Sequence, residues 1–208
     1  QFFHWAKGVG GLNYEFGWSV ETDSKGNIYT LGQCSNYLDA DPGPGVSAST
    51  GDNGDICLLK LNPQGNFIWI RRIGSGGTQK GYDLSIDAQD NVFVTGNFMG
   101  TIDFDPGAGV YNLTSGGGYD IFFLKLDSSG KFQWVKQISG LTNSTSNAIK
   151  VCPSGAIYLS GKYTSLTDFN PGPGVYNLNT TTYALFIARY NNQGDIIWAR
   201  SVADGGYG

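Results

Sequence analysis

Four tryptophans, Trp5, Trp69, Trp134 and Trp198, recur at intervals of 64, 65 and 64 residues, each followed two positions later by a base: Lys7, Arg71, Lys136 and Arg200. A period this regular means that one supersecondary unit is repeated and buries its apolar surface against its own copies. Three further blocks keep the register. Asp23 and Asp87 lie eighteen residues after the first two tryptophans, with Cys152 at the matching place in the third unit. Next come Asn-Ile-Tyr-Thr-Leu-Gly at 27–32, Asn-Val-Phe-Val-Thr-Gly at 91–96 and Ala-Ile-Tyr-Leu-Ser-Gly at 156–161. An acidic Pro-Gly loop follows, and then an apolar block carrying Lys60, Lys125 or Arg189 near its end.

Each unit parses into four strands, expected in the second repeat at roughly 82–87, 92–98, 121–126 and 132–138, with tight polar links at 88–91 and 127–131. The second and third strands mix continuous apolar runs with alternation, which suits a sheet covered on both faces. A lone four-stranded sheet of this size cannot bury two faces, so the sheets must stack. The expected fold is therefore all-β: a β-propeller fragment of four-stranded antiparallel blades with a repeat of about 64 residues. Residues 1–208 form a single partial propeller, with blades at 17–73, 81–138 and 146–202. Residues 1–9 are the outer strand of a closing blade and 203–208 start the next repeat. The strands that complete the ring are expected from elsewhere in a longer polypeptide, so remaining blades of the same chain are among its partners.

Composition agrees with that fold, with 32 glycines for turns and 14% aromatic residues for strands. The net charge is −4, so there is no basic face to neutralise phosphates, and nucleic acid is excluded as an expected partner. No apolar stretch approaches the ~20 residues a membrane span needs. Cys34, Cys57 and Cys152 have no zinc-type spacing and stand in different repeat columns. They read as separate substitutions rather than a disulfide framework, and an odd count leaves one free thiol.

The acidic loops are the candidate site. Fifteen of the seventeen acidic residues are aspartates. Asp39 and Asp41, Asp103 and Asp105, and Asp168 and Asn170 sit at i and i+2, which on an extended segment share a face and can present two oxygens to one hard cation, for which Ca2+ is the expected choice. The same residues ahead of a Pro-Gly turn can instead cap backbone amides as Asx-turns. The basic columns likewise have two readings, a ring for an anionic ligand or packing against Trp and Asp in every blade. Catalysis finds little footing: His4 is the single histidine, and acid loops repeated equivalently single out no acid and base pair.

The Trp-x-basic strand, the Gly-Asn-Ile-Tyr phrase at 26–29, the Asp-Phe-Asp-Pro-Gly loop at 103–107 and the Asp-Ile-Phe-Phe-Leu-Lys-Leu strand at 120–126 together resemble the SBBP-type, seven-bladed β-propeller repeats of secreted Bacteroidota proteins. The resemblance spans nearly the whole chain. It implies a secreted or cell-surface location, export by the type IX route, and a non-catalytic module that binds a protein or glycan partner. The rival expectations are a structural spacer of a large adhesin, or the non-catalytic part of a polysaccharide-degrading enzyme.

Overall fold

A computed structural model of the chain describes residues 5–11, 14–52, 54–74 and 77–202. Twelve strands make three antiparallel four-stranded sheets, each in simple sequential order. The first holds β1 (Phe16–Thr22), β2 (Ile28–Cys34), β3 (Asp55–Leu61) and β4 (Phe67–Ile73). The second holds β5 (Thr78–Ile86), β6 (Val92–Met99), β7 (Asp120–Leu126) and β8 (Phe132–Gly140), and the third β9 (Thr145–Val151), β10 (Ile157–Thr164), β11 (Tyr183–Tyr190) and β12 (Ile196–Val202). Among the described residues no helix is long and apolar enough to cross a membrane.

Among the described residues, the six tight turns at 23–27, 62–66, 87–91, 127–131, 152–156 and 191–195 share one backbone plan. At residues 23–27 the first and last backbones close on each other, and the side chain of Asp23 accepts the amides of Lys25 and Asn27 at 3.0 and 2.9 Å. Asn62, Asp87, Asp127 and Asn191 repeat this cap. Cys152 opens the remaining turn, where the backbone bonds persist without a side-chain cap. The fourth turn residue takes a positive φ, which glycine supplies five times. The sixth is Asp90, φ 63, whose carboxylate accepts both the amide and the hydroxyl of Ser24 in the preceding blade at 2.9 Å.

Sheets stack face to face. Tyr29, Leu31, Ile56 and Leu58 of the first blade pack into one core with Leu84, Val94, Phe122 and Leu124 of the second. Phe93, Ile121 and Phe123 do the same with Ile149, Leu159 and Phe186 of the third. The middle sheet is thereby covered on both faces, which explains the near-unbroken burial of β6 and β7, while the far side of β3 in the first sheet is covered by Val9, Leu38 and Ile70.

The basic columns are part of this stacking. Lys60 pairs with Asp23 at 3.2 Å, lies 4.7 Å from the centroid of Tyr29, and donates to the Ser128 carbonyl of the next blade. Lys125 repeats the pattern with Asp87, Phe93 and Asn192. Arg71 lies over Trp69 and reaches the carbonyls of Gly130 and Ser129, and Arg200 lies over Trp198. Repetition in every blade here serves architecture.

One expectation is corrected. Cys34 and Cys57 are joined by a disulfide, their Cα atoms 5.9 Å apart, and Cys152 is free. The two cysteines lie on adjacent strands β2 and β3, and their columns elsewhere hold Phe98 with Phe122 and Tyr163 with Phe186. In the second and third blades a third ring, Phe104 or Phe169, completes an aromatic triad. The first blade has Ala40 at that place, so the disulfide fills the space three rings occupy in its neighbours. Reading each cysteine down its own column hid the fact that the two columns change together.

The N-terminal segment also differs from the expected strand. Residues 5–9 carry no strand pairing. The segment nevertheless keeps the place of one. Lys7 donates to Asn66 at 3.1 Å, and Gly10 and Gly11 pair with Asp39 and Leu38 as Ser139 and Gly140 pair with Asp168 and Thr167. Residues 1–4, His4 among them, and 203–208 lie outside the described residues.

Candidate functional site

The acidic loops form small β-ribbons, and the first and third also pair with the stretch that precedes their own blade. Thr101–Asp103 pairs with Asn112–Thr114, and Thr167–Asp168 pairs both with Asn177–Leu178 and with the end of β8. Within each loop the first carboxylate bridges the turn: Asp103 accepts the amides of Asp105 at 3.0 Å and Tyr111 at 2.8 Å. Asp39 accepts those of Asp41 and Ser47, and Asp168 those of Asn170 and Tyr176. The second position accepts one amide, from Gly43, Gly107 or Gly172, and the Asn170 amide oxygen does so as well as the carboxylates of Asp41 and Asp105. Among the described residues no three His, Cys, Asp or Glu side chains converge where a metal ion could sit.

These bonds favour the turn reading of the loops. Asp105→Asn is expected to leave the melting temperature unchanged within error, whether calcium or a chelator is present. Asp103→Ala, which strands two amides, should lower stability by about 1 kcal/mol. Thermal melts of both variants with calcium and with chelator check this, and calcium-dependent melting of the wild type that Asp105→Asn abolishes would favour the cation reading.

A second surface lies on the inner strands. β1, β5 and β9 contact one another, and each carries a β-bulge at the same place, between Gly17 and Ser19, Gly81 and Asp83, and Ser146 and Ala148. A bulge leaves one residue unpaired and turns its side chain out of the ladder. Those residues are Trp18, Tyr82 and Asn147. The bulge also explains the glycine that ends each strand phrase: a Cβ on Gly32, Gly96 or Gly161 would fall on the carbonyl oxygen of Phe16, Lys80 or Thr145.

Around the bulges the blades are tied by polar bonds rather than apolar packing. Asp83 accepts the Ser19 hydroxyl at 2.7 Å and the Ile149 amide at 2.9 Å, so one carboxylate joins all three inner strands. Ser85 accepts the Val151 amide, and Lys150 pairs with Glu21 at 3.4 Å across two blades. Above this frame the Phe16 and Trp18 rings stack at 6.0 Å and 24°, and Trp18 meets Tyr82 edge-on at 6.2 Å. Phe16 is 52% and Trp18 45% exposed, an unusual cost for large aromatics. Burial pushes the Tyr82 hydroxyl upward, with Tyr119 adding to the shift and the Asn97 side chain opposing it.

Equivalent positions here differ from blade to blade: Trp18, Tyr82 and Asn147; Ser19, Asp83 and Ala148; Glu21, Ser85 and Lys150. The strand ends beside them, Gln33, Asn97 and Lys162, differ too. Column-by-column comparison of the inner strand shows the variation in the sequence, but a bulge shifts the alternation and hides which residues face outward.

No family model matches the chain. It is similar to an uncharacterized WD repeat-containing protein, L264, of Acanthamoeba polyphaga mimivirus, at 26% identity over 227 aligned residues that cover 93% of this chain and 16% of that protein. It is also similar to the regulatory protein FlaEY of Caulobacter vibrioides, at 24% identity over 141 residues, covering 68% of this chain and 15% of that protein. The chain thus spans about a sixth of the length of either relative. Its four-stranded antiparallel sheets, stacked at a fixed repeat, and the WD-repeat relative agree on an all-β, propeller-type fold.

Proposed function

We propose that this chain is the blade-bearing part of a non-catalytic propeller that binds a protein partner at the bulged end of its inner strands, with Trp18, Tyr82 and Asn147 as the contacting residues. The observation that carries this reading is the contrast between two classes of position. Residues in the stacked faces keep their apolar or basic character from blade to blade, as a shared scaffold demands; the residues at the bulges, Trp18, Tyr82 and Asn147, keep neither size nor chemistry, as one asymmetric ligand demands. The exposed Trp18 and the half-buried Tyr82 beside it, both held by a rigid frame, are side chains of the kinds that most often anchor protein interfaces. The WD-repeat relative supports a protein partner, and the occupied carboxylates of Asp83 and Glu21 support a binding rather than a catalytic role. The disulfide between Cys34 and Cys57 supports an oxidising, extracytoplasmic setting, in keeping with the SBBP-type resemblance and export.

The test compares wild type with the Trp18→Ala/Tyr82→Ala double variant, both immobilised, in quantitative mass spectrometry of proteins captured from the source organism's secreted fraction, with a glycan array as a parallel arm. Trp18 is exposed and Tyr82 half-buried, so folding stability should change by about 0.5 kcal/mol for the first and about 1 kcal/mol for the second, which thermal melts of the variant check. Loss of one specific protein from the variant's capture is expected. Equal capture by both chains overturns the reading, and loss confined to the array replaces the protein with a glycan.

A further inference from the structure

The junction between the second and third blades brings together an amine, a carboxamide and a carboxylate. Lys125 lies near the end of β7 and Asn192 on the 191–195 hairpin, and the Lys125 Nζ stands 3.0 Å from the Asn192 Oδ1 across the interface, 67 residues away in sequence. The Asp87 carboxylate approaches the same Nζ at 3.8 Å, and the side chains of Lys125 and Asp87 are only 13% and 4% exposed. The fully buried ring of Phe93 closes one side, its centroid 5.0 Å from Nζ. Two hairpin turns and a buried strand thus hold the three groups in a site largely cut off from water.

The matching place between the first and second blades lacks one of the three. Lys60 and Asp23 repeat the amine and the carboxylate, but the hairpin there offers Ser128, whose backbone carbonyl accepts from Lys60 at 3.2 Å. The second turn position reads Pro63, Ser128 and Asn192 along the chain, so only Asn192 presents an acyl group that an amine can take without cutting the backbone. Amide exchange between free side chains is slow because the two must first meet in the right orientation. Here the fold has already supplied the encounter.

We propose that Lys125 and Asn192 form an isopeptide bond that joins the second and third blades covalently. The Lys125 ammonium gives a proton to Asp87, and the freed Nζ lone pair attacks Asn192 Cγ to make the new C–N bond. The Cγ–Nδ2 bond then breaks. Nδ2 takes both protons that Nζ gives up, by way of Asp87, and leaves as an ammonium ion. One lysine ammonium and one carboxamide become one secondary amide and one ammonium ion, so charge is conserved, nothing is oxidised or reduced, and Asp87 ends as the carboxylate it began.

Mass spectrometry of the intact chain and of its tryptic fragments tests this. Compared with Lys125→Ala, and once the substitution itself is allowed for, the wild type is expected to be lighter by one ammonia. Trypsin does not cut after an acylated lysine, so 81–131 should emerge joined to 190–200 as one branched fragment. Asn192→Ala alters a half-buried turn residue and should fold without giving that fragment. Asp87→Asn keeps a capping side chain of the kind that Asn62 and Asn191 supply to their own turns. It should form the link at least about a hundredfold more slowly, read as the branched fraction at successive times after cell-free synthesis. Separate 81–125 and 190–200 fragments from the folded wild type overturn the proposal, a result that needs no variant to fold. Ammonia loss without the branched fragment marks a succinimide at Asn192 and overturns it too, and a link formed as fast in Asp87→Asn overturns the mechanism.

Discussion

Phe122→Ala is expected to destabilise the protein by roughly 4 kcal/mol, the largest loss from any single truncation of the core. The ring is fully buried on β7, between Phe104 at 4.7 Å and Phe98 at 6.5 Å, themselves fully buried. Deleting it removes the transfer energy of the ring and leaves a hole lined by two aromatics that sit in rigid strands and cannot collapse into it. The middle blade is also the one both neighbours lean on, so the loss should spread to their stacking. Chemical denaturation followed by tryptophan fluorescence gives the number.

Asp23→Ala should cost about 3 kcal/mol at neutral pH, because it strands a buried cation. Lys60 and Asp23 have side chains only 8% and 1% exposed, and the same carboxylate accepts two turn amides, the Asn27 side chain and the Tyr29 hydroxyl. Burial pushes the Asp23 carboxyl up, yet the bonds from Asn27, Lys60 and Lys25 together outweigh it and hold it at about 2, below its ordinary 3.8. A carboxyl depressed by folding stabilises the folded state above its unfolded value and loses that contribution as pH falls through the folded one. The wild type should therefore lose about 2 kcal/mol of Asp23's contribution between pH 4 and pH 2. The variant, lacking the group, should show a flatter acid limb. The third blade provides the mirror image: Cys152→Asp would cap the 152–156 turn and face Arg189, and is expected to raise stability by about 1 kcal/mol. Urea titrations across pH 2 to 7 measure all three chains.

Much of the fold was legible because period and pattern act together. The tryptophan spacing set the unit, and the polar links at 88–91 and 127–131 marked where the hairpins of the second repeat close. The first strand of each blade was harder to bound, since the bulge at Gly81 and Asp83 breaks the alternation and β5 begins at Thr78, ahead of the expected 82. The basic columns were legible in kind, because a residue repeated in every blade meets the same neighbours every time. What the sequence hid were cross-strand relations: the exchange of an aromatic triad for Cys34, Cys57 and Ala40, and the convergence of Ser19, Asp83 and the Ile149 amide from three blades. The aspartates drew attention first because carboxylates at i and i+2 suit a cation and a turn equally well. The hydrogen bonds from the amides of Asp105 and Tyr111 to Asp103 belong to the turn.

The claim on which the account rests is that these sheets are stable because they stack. Native-state hydrogen exchange read by mass spectrometry addresses it directly. Amides of β6 and β7, in a sheet covered on both faces, should exchange slowest and only through global unfolding, while those of β1 and β12, at the two open ends, should exchange at least about a hundredfold faster through local opening. Three blades with equal protection, each losing it in its own separate step, would mean that every unit carries a private core, and the stacked account would be wrong.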